Sequence, residues 1–323
     1  MTPFFPIIRD GVRVRGTAPA HLPHSIGRWA VPRTLTGKNH LSVNTLILEL
    51  DPEDPEAEDR ERQKAEDAAQ RLLQPALRSA QEELAALFTE GRLAPSEMQA
   101  LLRRYNNNFD QALAEAMRRV ARQERSDTLQ QAWKYAVGRT VEEGASSGLR
   151  VALGQLGNVG VNLNYDLLNR FARDWAQVYS YNLITRIDES TGRQVGNAVV
   201  AWMESGAHLD ALISHLEPTF GQVRAEAIAA TETTRAFAEG TLLSYRQSGL
   251  VLATSWKTSV DERVCPICRP LHGAIGDLNG NFRHPGGVGK AFRYEGRMFR
   301  PPGHVRCRCA IAPIVDEAQL KGK

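Results

Sequence analysis

All four cysteines of this 323-residue chain lie between positions 265 and 309. They form two short motifs, Cys265-Pro266-Ile267-Cys268 and His304-Val305-Arg306-Cys307-Arg308-Cys309. A C-x-x-C pair sets two thiolates at the bite of a tetrahedral metal ion, and a second pair from further along pins the intervening loop. Sulfur and imidazole donors favour zinc. Five groups compete for four places: Cys265, Cys268, His304, Cys307 and Cys309. C-x-C supplies both sulfurs, or His304 replaces one of them. Two other readings stand beside a structural metal: buried reduced thiols, or disulfides formed later outside a cell. A redox-active C-x-x-C opens a helix after a strand, and Pro266 and the later cysteines argue against that.

The same stretch is basic. Residues 281–308 carry Arg283, Lys290, Arg293, Arg297, Arg300, Arg306 and Arg308 against Glu295 alone. Such a stretch can contact DNA phosphates, with salt-dependent and sequence-blind binding. The alternative is that these arginines solvate a loop-rich surface or pair with acids. Phe282, Phe292, Tyr294 and Phe299 interleave with them, as a stacking surface or as a small core. Asp261, Glu262, His272, His284 and His304 admit a nuclease reading. That chemistry needs a His within reach of water and a second metal site, and the spacing supplies neither. No phosphate-binding glycine loop and no nucleophile elbow occurs.

These motifs need elements to hold them. Many glycines separate the two cysteine motifs, so the loop buries little apolar surface and needs a crosslink. Residues 251–258 read as a strand entering the module, with Trp256 anchoring it against helices. Upstream, Ala227, Thr231, Thr234, Ala238, Thr241 and Tyr245 recur in steps of three and four. They place a narrow stripe of small residues on a helix over 222–247, suited to close packing, with Gly249 as its stop. Glu232, on the same helix, reads as solvated or salt-bridged. A further amphipathic helix is expected over 165–187, then short helices over 194–205 and 209–216.

Earlier still, helical patterns cover 58–90, with Pro75 as a kink or break, then 95–113, with Asn106-Asn107-Asn108 as a weak point, and 127–144. The Gly-rich, β-branched stretch 144–164 predicts a loop. Residues 42–49 predict a strand. The fold class expected is mainly α, with an N-terminal β-arm and a small, irregular α+β, Cys-rich module at the C-terminus. Four segments follow: 1–50 as the arm, 51–164 as a helical region, 165–249 as a second helical part, and 250–323 as the cysteine module.

The totals exclude some classes. With 42% hydrophobic and 24% charged residues, wholesale disorder is not expected. The net charge of +3 names no partner, although residues 51–66 hold eight acids against three bases. No apolar run approaches the roughly 20 residues needed to span a bilayer. The first residues carry no basic stretch followed by an apolar one, so a cytoplasmic start with reduced thiols is expected.

Three blocks carry a family resemblance. They are Trp256-Lys257-Thr258 through Asp261-Glu262-Arg263-Val264 and the C-x-x-C to Leu271-His272-Gly273; Pro301-Pro302-Gly303 with the H-x-x-C-x-C; and the helical Arg224–Phe237 run. Together they resemble the Mu F-like minor head (head morphogenesis) proteins of tailed phages, over about residues 165–313. Val305 stands where many relatives carry Pro. The resemblance implies a structural, non-enzymatic virion protein of a phage or prophage. It would be assembled in the bacterial host cytoplasm, associate with the portal protein and with capsid or scaffold subunits, and aid head assembly or the packaging and delivery of DNA. The rivals are a zinc-supported nuclease and a DNA-binding protein acting on phage DNA.

Overall fold

The computed structural model describes residues 45–48, 51, 54, 56–258, 265–283, 293–294, 297–316 and 320. It is mostly helical, with one small antiparallel sheet built largely from the C-terminal residues. Most of the segment expected as an N-terminal arm lies outside the described residues. Its strand is present as β1 (Thr45–Ile47), and residues 42–44 and 49 of the expected span lie outside the described residues.

Among the described residues, seven helices precede the module: α1 (Ala57–Thr89), α2 (Pro95–Arg104), α3 (Phe109–Arg119), α4 (Gln123–Gly157), α5 (Tyr165–Ser205), α6 (Leu209–Phe220) and α7 (Gln222–Ser248). Helix α1 runs through Pro75 without a break. A proline inside a helix costs about 3 kcal/mol. Leu73, Leu77 and Leu84 of α1 are all buried, and each such side chain returns about 1.5–3 kcal/mol. The break between α2 and α3 falls at the asparagines. Asn106 and Asn107 take left-handed backbone angles (φ 52° and 63°), and Asn108 caps α3 by accepting from the Gln111 amide at 2.8 Å. Asparagine adopts this region at lower cost than most residues.

Two expectations fail at glycines. Residues 144–157 belong to α4 instead of a loop, and α5 continues through residues 188–193 as one helix. A Cβ on Gly148 would lie 1.9 Å from the Phe237 carbonyl oxygen of α7, and one on Gly192 would lie 1.9 Å from that of Asn107. Gly148 marks close backbone approach between two helices and Gly192 close approach of α5 to the turn between α2 and α3, and neither breaks its helix. From the other side, a Cβ on Gly240 of α7 would come 2.0 Å from the Ala145 carbonyl oxygen. Thr241 Oγ1 donates to the Gly148 carbonyl at 3.2 Å. The small-residue stripe of α7 therefore packs on α4 as its pattern requires.

One apolar core joins helices on both sides of residue 164, including Leu84, Val141, Leu183 and Phe220. It also holds charge. Asp188 of α5 is pushed up to about 8, first by burial and then by the Asp110 charge, against Lys134 and Arg224. Burial lowers Arg224 to about 10, while its guanidinium donates to Ser190, Thr191, Gln194 and the Thr219 carbonyl.

The sheet follows the order β1-β7-β2-β3-β4-β6-β5, with β2 (Val251–Lys257), β3 (Ile275–Gly276), β4 (Asn281–Arg283), β5 (Arg293–Tyr294), β6 (Arg297–Phe299) and β7 (Ala310–Asp316). Its register is what positions the cysteines. Lys257, the last residue of β2, pairs with Ala310, the first of β7. The chain leaving β2 and the chain entering β7 thus meet at one end of the sheet. Trp256 is fully buried there, edge-on to Phe282 with ring centroids 5.2 Å apart. Lys257 also reaches back to Glu58 at 3.4 Å, tying the sheet to the start of α1.

Candidate metal centre

The first cysteine motif forms a tight turn. The Cys268 and Arg269 amides both donate to the Cys265 carbonyl, and the Cys268 amide lies 3.3 Å from Cys265 Sγ. A short 3-10 turn (Arg269–Leu271) follows, and the Gly273 amide returns to the Trp256 carbonyl at 2.9 Å. The second motif makes its own turn, where the Cys307 amide donates to the His304 carbonyl at 3.2 Å. Arg306 sits in it at φ 61°, a left-handed angle that a non-glycine residue pays for.

The two turns bring all five predicted donors together. Cys265, Cys268 and His304 form one group, and Cys268, Cys307 and Cys309 form another. Within each, the ligand atoms lie within 4.8 Å of one another, and either arrangement could hold a metal ion. Cys268 belongs to both. Its sulfur is 3.7 Å from that of Cys307 and 3.2 Å from His304 Nε2, and Nε2 is 2.9 Å from Cys265 Sγ. A tetrahedral ion with metal–sulfur bonds near 2.3 Å needs sulfurs about 3.8 Å apart. The Cys268–Cys307 pair meets that spacing, while the imidazole sits closer to its sulfurs than a tetrahedral edge, at the range of a hydrogen bond. His304 Nδ1 donates to the Val305 carbonyl at 2.7 Å. That bond fixes the tautomer and leaves the Nε2 lone pair facing the thiols.

Cys268, Cys307 and Cys309 are buried, and Cys265 and His304 are half-buried. No disulfide joins any of the four cysteines. The thiols also share an apolar cluster with Trp256, Leu271, Phe282 and Ile311. Crowding separates their acidities. Hydrogen bonds from Cys268 and Cys309, helped by the Cys309 and Gly303 amides, hold Cys307 well below the usual thiol range. Cys268 is raised because its proton is shared with Cys307 and Cys309 and because it is buried. At Cys309 the hydrogen bond with Cys268 pulls downward, but Cys307 and burial outweigh it. Three sulfurs this close cannot all ionise without a cation, and a bound metal ion supplies one.

Two threonines of α7 support the second turn. Thr234 Oγ1 donates to the Cys307 carbonyl at 2.8 Å, and the Arg306 amide donates to Thr231 Oγ1 at 2.9 Å. Both residues stand in the small-residue stripe. Sequence reasoning took that stripe for packing alone; the hydroxyls were the signal that it does more. Glu232, between them, accepts from the Tyr179 hydroxyl at 2.6 Å and pairs with Arg235.

Of the basic residues, the side chains of Arg300, Arg306 and Arg308 are described. Arg300 is drawn inward to an ion pair with Glu239, and burial lowers its basicity. Arg306 lies 3.8 Å from Glu226 and donates to the Val223 carbonyl. Arg308 is half-buried. Lys290 lies outside the described residues, as do Asp261, Glu262 and His284, and only the backbone of Arg283, Arg293 and Arg297 is described. His272 Nδ1 is 2.8 Å from Thr258 Oγ1, a loop-anchoring contact.

Residues 193–312 match the model of the family described as Phage Mu protein F like protein. Over these residues the chain is similar to that family, in the region where its motifs carry the resemblance. The match begins inside α5, later than the resemblance suggested, and takes in α6, α7 and the whole cysteine cluster. The curated proteins and the solved structures yielded no match to this chain.

Proposed function

We propose that this chain is a minor head protein of a phage or prophage, acting in head morphogenesis as a structural component rather than an enzyme. The observation that carries this reading is that one Mu F-like match spans both α7 and the clustered Cys and His donors. In this reading the helical body supplies docking surface, and the cysteine module presents a loop of fixed shape to the portal protein, with capsid or scaffold subunits as further neighbours. Packaging or delivery of DNA would be aided through that placement at the vertex. Among the described residues, no helix is long and apolar enough to cross a membrane.

Zinc is the ion this donor set fits. It accepts three sulfurs and an imidazole, or four sulfurs, in a tetrahedron with no redox chemistry. Cys268 is the donor common to both three-residue groups, with Cys265, Cys307, Cys309 and His304 competing for the other places. When bound, the ion crosslinks the chain before β3 to the chain before β7.

The test is co-expression with the portal protein encoded in the same phage genome. Co-purification of the two, together with loss of infectious heads when this gene is deleted, is the expected result. Normal heads from the deletion would overturn the reading. A plasmid-nicking assay with added divalent metal checks the nuclease rival, which requires cleavage that His304→Ala removes. A gel shift over a range of salt checks DNA contact. Elemental analysis of the purified chain is expected to find about one zinc per chain.

A further inference from the structure

The two halves of the cysteine cluster are supported differently. The Cys265–Cys268 turn is held by its own backbone hydrogen bonds. The 304–307 turn has one such bond, from the Cys307 amide to the His304 carbonyl, and is held in addition from outside, by α7. Its left-handed residue, Arg306, gives its amide to Thr231, and its cysteine, Cys307, has its carbonyl held by Thr234. Both threonines are buried, Thr234 completely.

The hydroxyl of Thr234 is used in an unusual way. Several buried hydroxyls in these helices turn back on their own helix, Thr140 to Ala136, Thr191 to Ile187 and Ser244 to Gly240, and Thr241 keeps its local acceptor Phe237 while also reaching Gly148 of α4. Thr231 does the same toward Ala227 and uses its remaining lone pair for Arg306. Thr234 instead donates to a residue 73 positions away in the chain. A hydroxyl that leaves its local acceptor for a distant carbonyl fixes that distant backbone.

We infer that Thr231 and Thr234 are positioning residues of the metal centre, setting the turn that carries His304 and Cys307 so that Nε2 and Sγ converge on Cys268. The inference rests on the metal-site reading above and names the part of the helical body that serves it. Held at two points one residue apart, the turn loses its freedom to swing Cys307 away from Cys268. A bound ion therefore need not order the turn itself, and support of this kind is typically worth 10–100-fold in metal affinity.

The test uses the full chain with Zn(II) and, as a spectroscopic substitute, Co(II). Metal affinity is measured by competition with a chromophoric chelator, alongside the thermal midpoint of the metal-stripped protein. Thr234→Val and Thr231→Val keep the shape and remove the hydroxyl. Each is expected to weaken Zn(II) and Co(II) binding about tenfold and to alter the tetrahedral Co(II) absorption. Thr234→Ser, which restores the donor, is expected to return both to the wild-type values. Val variants that bind both ions as the wild type does would overturn the inference, as would Thr234→Ser failing to rescue. Should Thr234→Val not fold, Thr231→Val and Thr234→Ser carry the same decision. A wild-type chain that binds neither ion would overturn the metal-site reading, and this inference with it.

Discussion

The α4–α7 contact and the cysteine cluster face the same task, holding distant segments at close quarters, and they meet it by opposite means. Between the helices, side chains are removed. Gly148 and Gly240 let backbones approach until not even a methyl group fits. In the module, reactive side chains are added: five donors from two turns converge at the edge of a smaller apolar cluster. The first arrangement depends on exclusion of volume and tolerates no growth. The second depends on chemistry and is sensitive to what the solution contains. Packing alone joins the long helices, whereas in a module of short strands and many glycines a bound ion would add a crosslink to the packing.

The largest expected effect separates the two regions by chemistry. Removing metal with a strong chelator should raise amide exchange in β7 and in the 265–283 segment about a hundredfold, while amides of α1, α4 and α5 keep their protection. Equal loosening of both regions, seen by hydrogen-exchange mass spectrometry, would erase the contrast. Next is Gly148→Ala. Its helix propensity favours Ala by about 1 kcal/mol, yet the clash with the Phe237 carbonyl should cost about 3 kcal/mol net in chemical denaturation, with zinc content unchanged.

Asp188 sharpens the comparison by adding pH. Its folded value of about 8 lies above its ordinary value of 3.8, so the folded state holds the proton more tightly than the unfolded chain. That contribution to stability is present in full below the ordinary value and is lost as pH rises through about 8. Urea midpoints should therefore fall from pH 5 to pH 9. Asp188→Asn should flatten that slope and gain about 1–3 kcal/mol at the alkaline end. The smallest effect is expected at a cap of the helical body. Asn164 Oδ1 accepts from the Leu167 amide at 2.9 Å, and Asn164→Ala should cost about 1 kcal/mol without touching metal binding.

The predictions made from sequence succeeded where one local signal sufficed. The asparagine run broke the helix between α2 and α3, Gly249 ended α7 in a left-handed turn, and the C-x-x-C and H-x-x-C-x-C spacings named all the clustered donors. They failed where glycine or proline had two meanings. Pro75 and the glycines of the 144–157 stretch read as interruptions, because nothing local says that a neighbouring helix will cover the position. Arg300 read as part of a basic surface, because Glu239 is 61 residues away in the chain.

By itself, the sequence determined which atoms are candidate metal donors, since that follows from side-chain type and short spacing. It also determined the stripe along α7, since the helical period is a property of the backbone. Only the tertiary structure decided that Lys257 would pair with Ala310, so that two motifs nearly 40 residues apart close on one another. It alone turned Thr231 and Thr234 toward Arg306 and Cys307. Strand register and helix contact depend on how the whole apolar surface is covered at once, and no window of the chain contains that information.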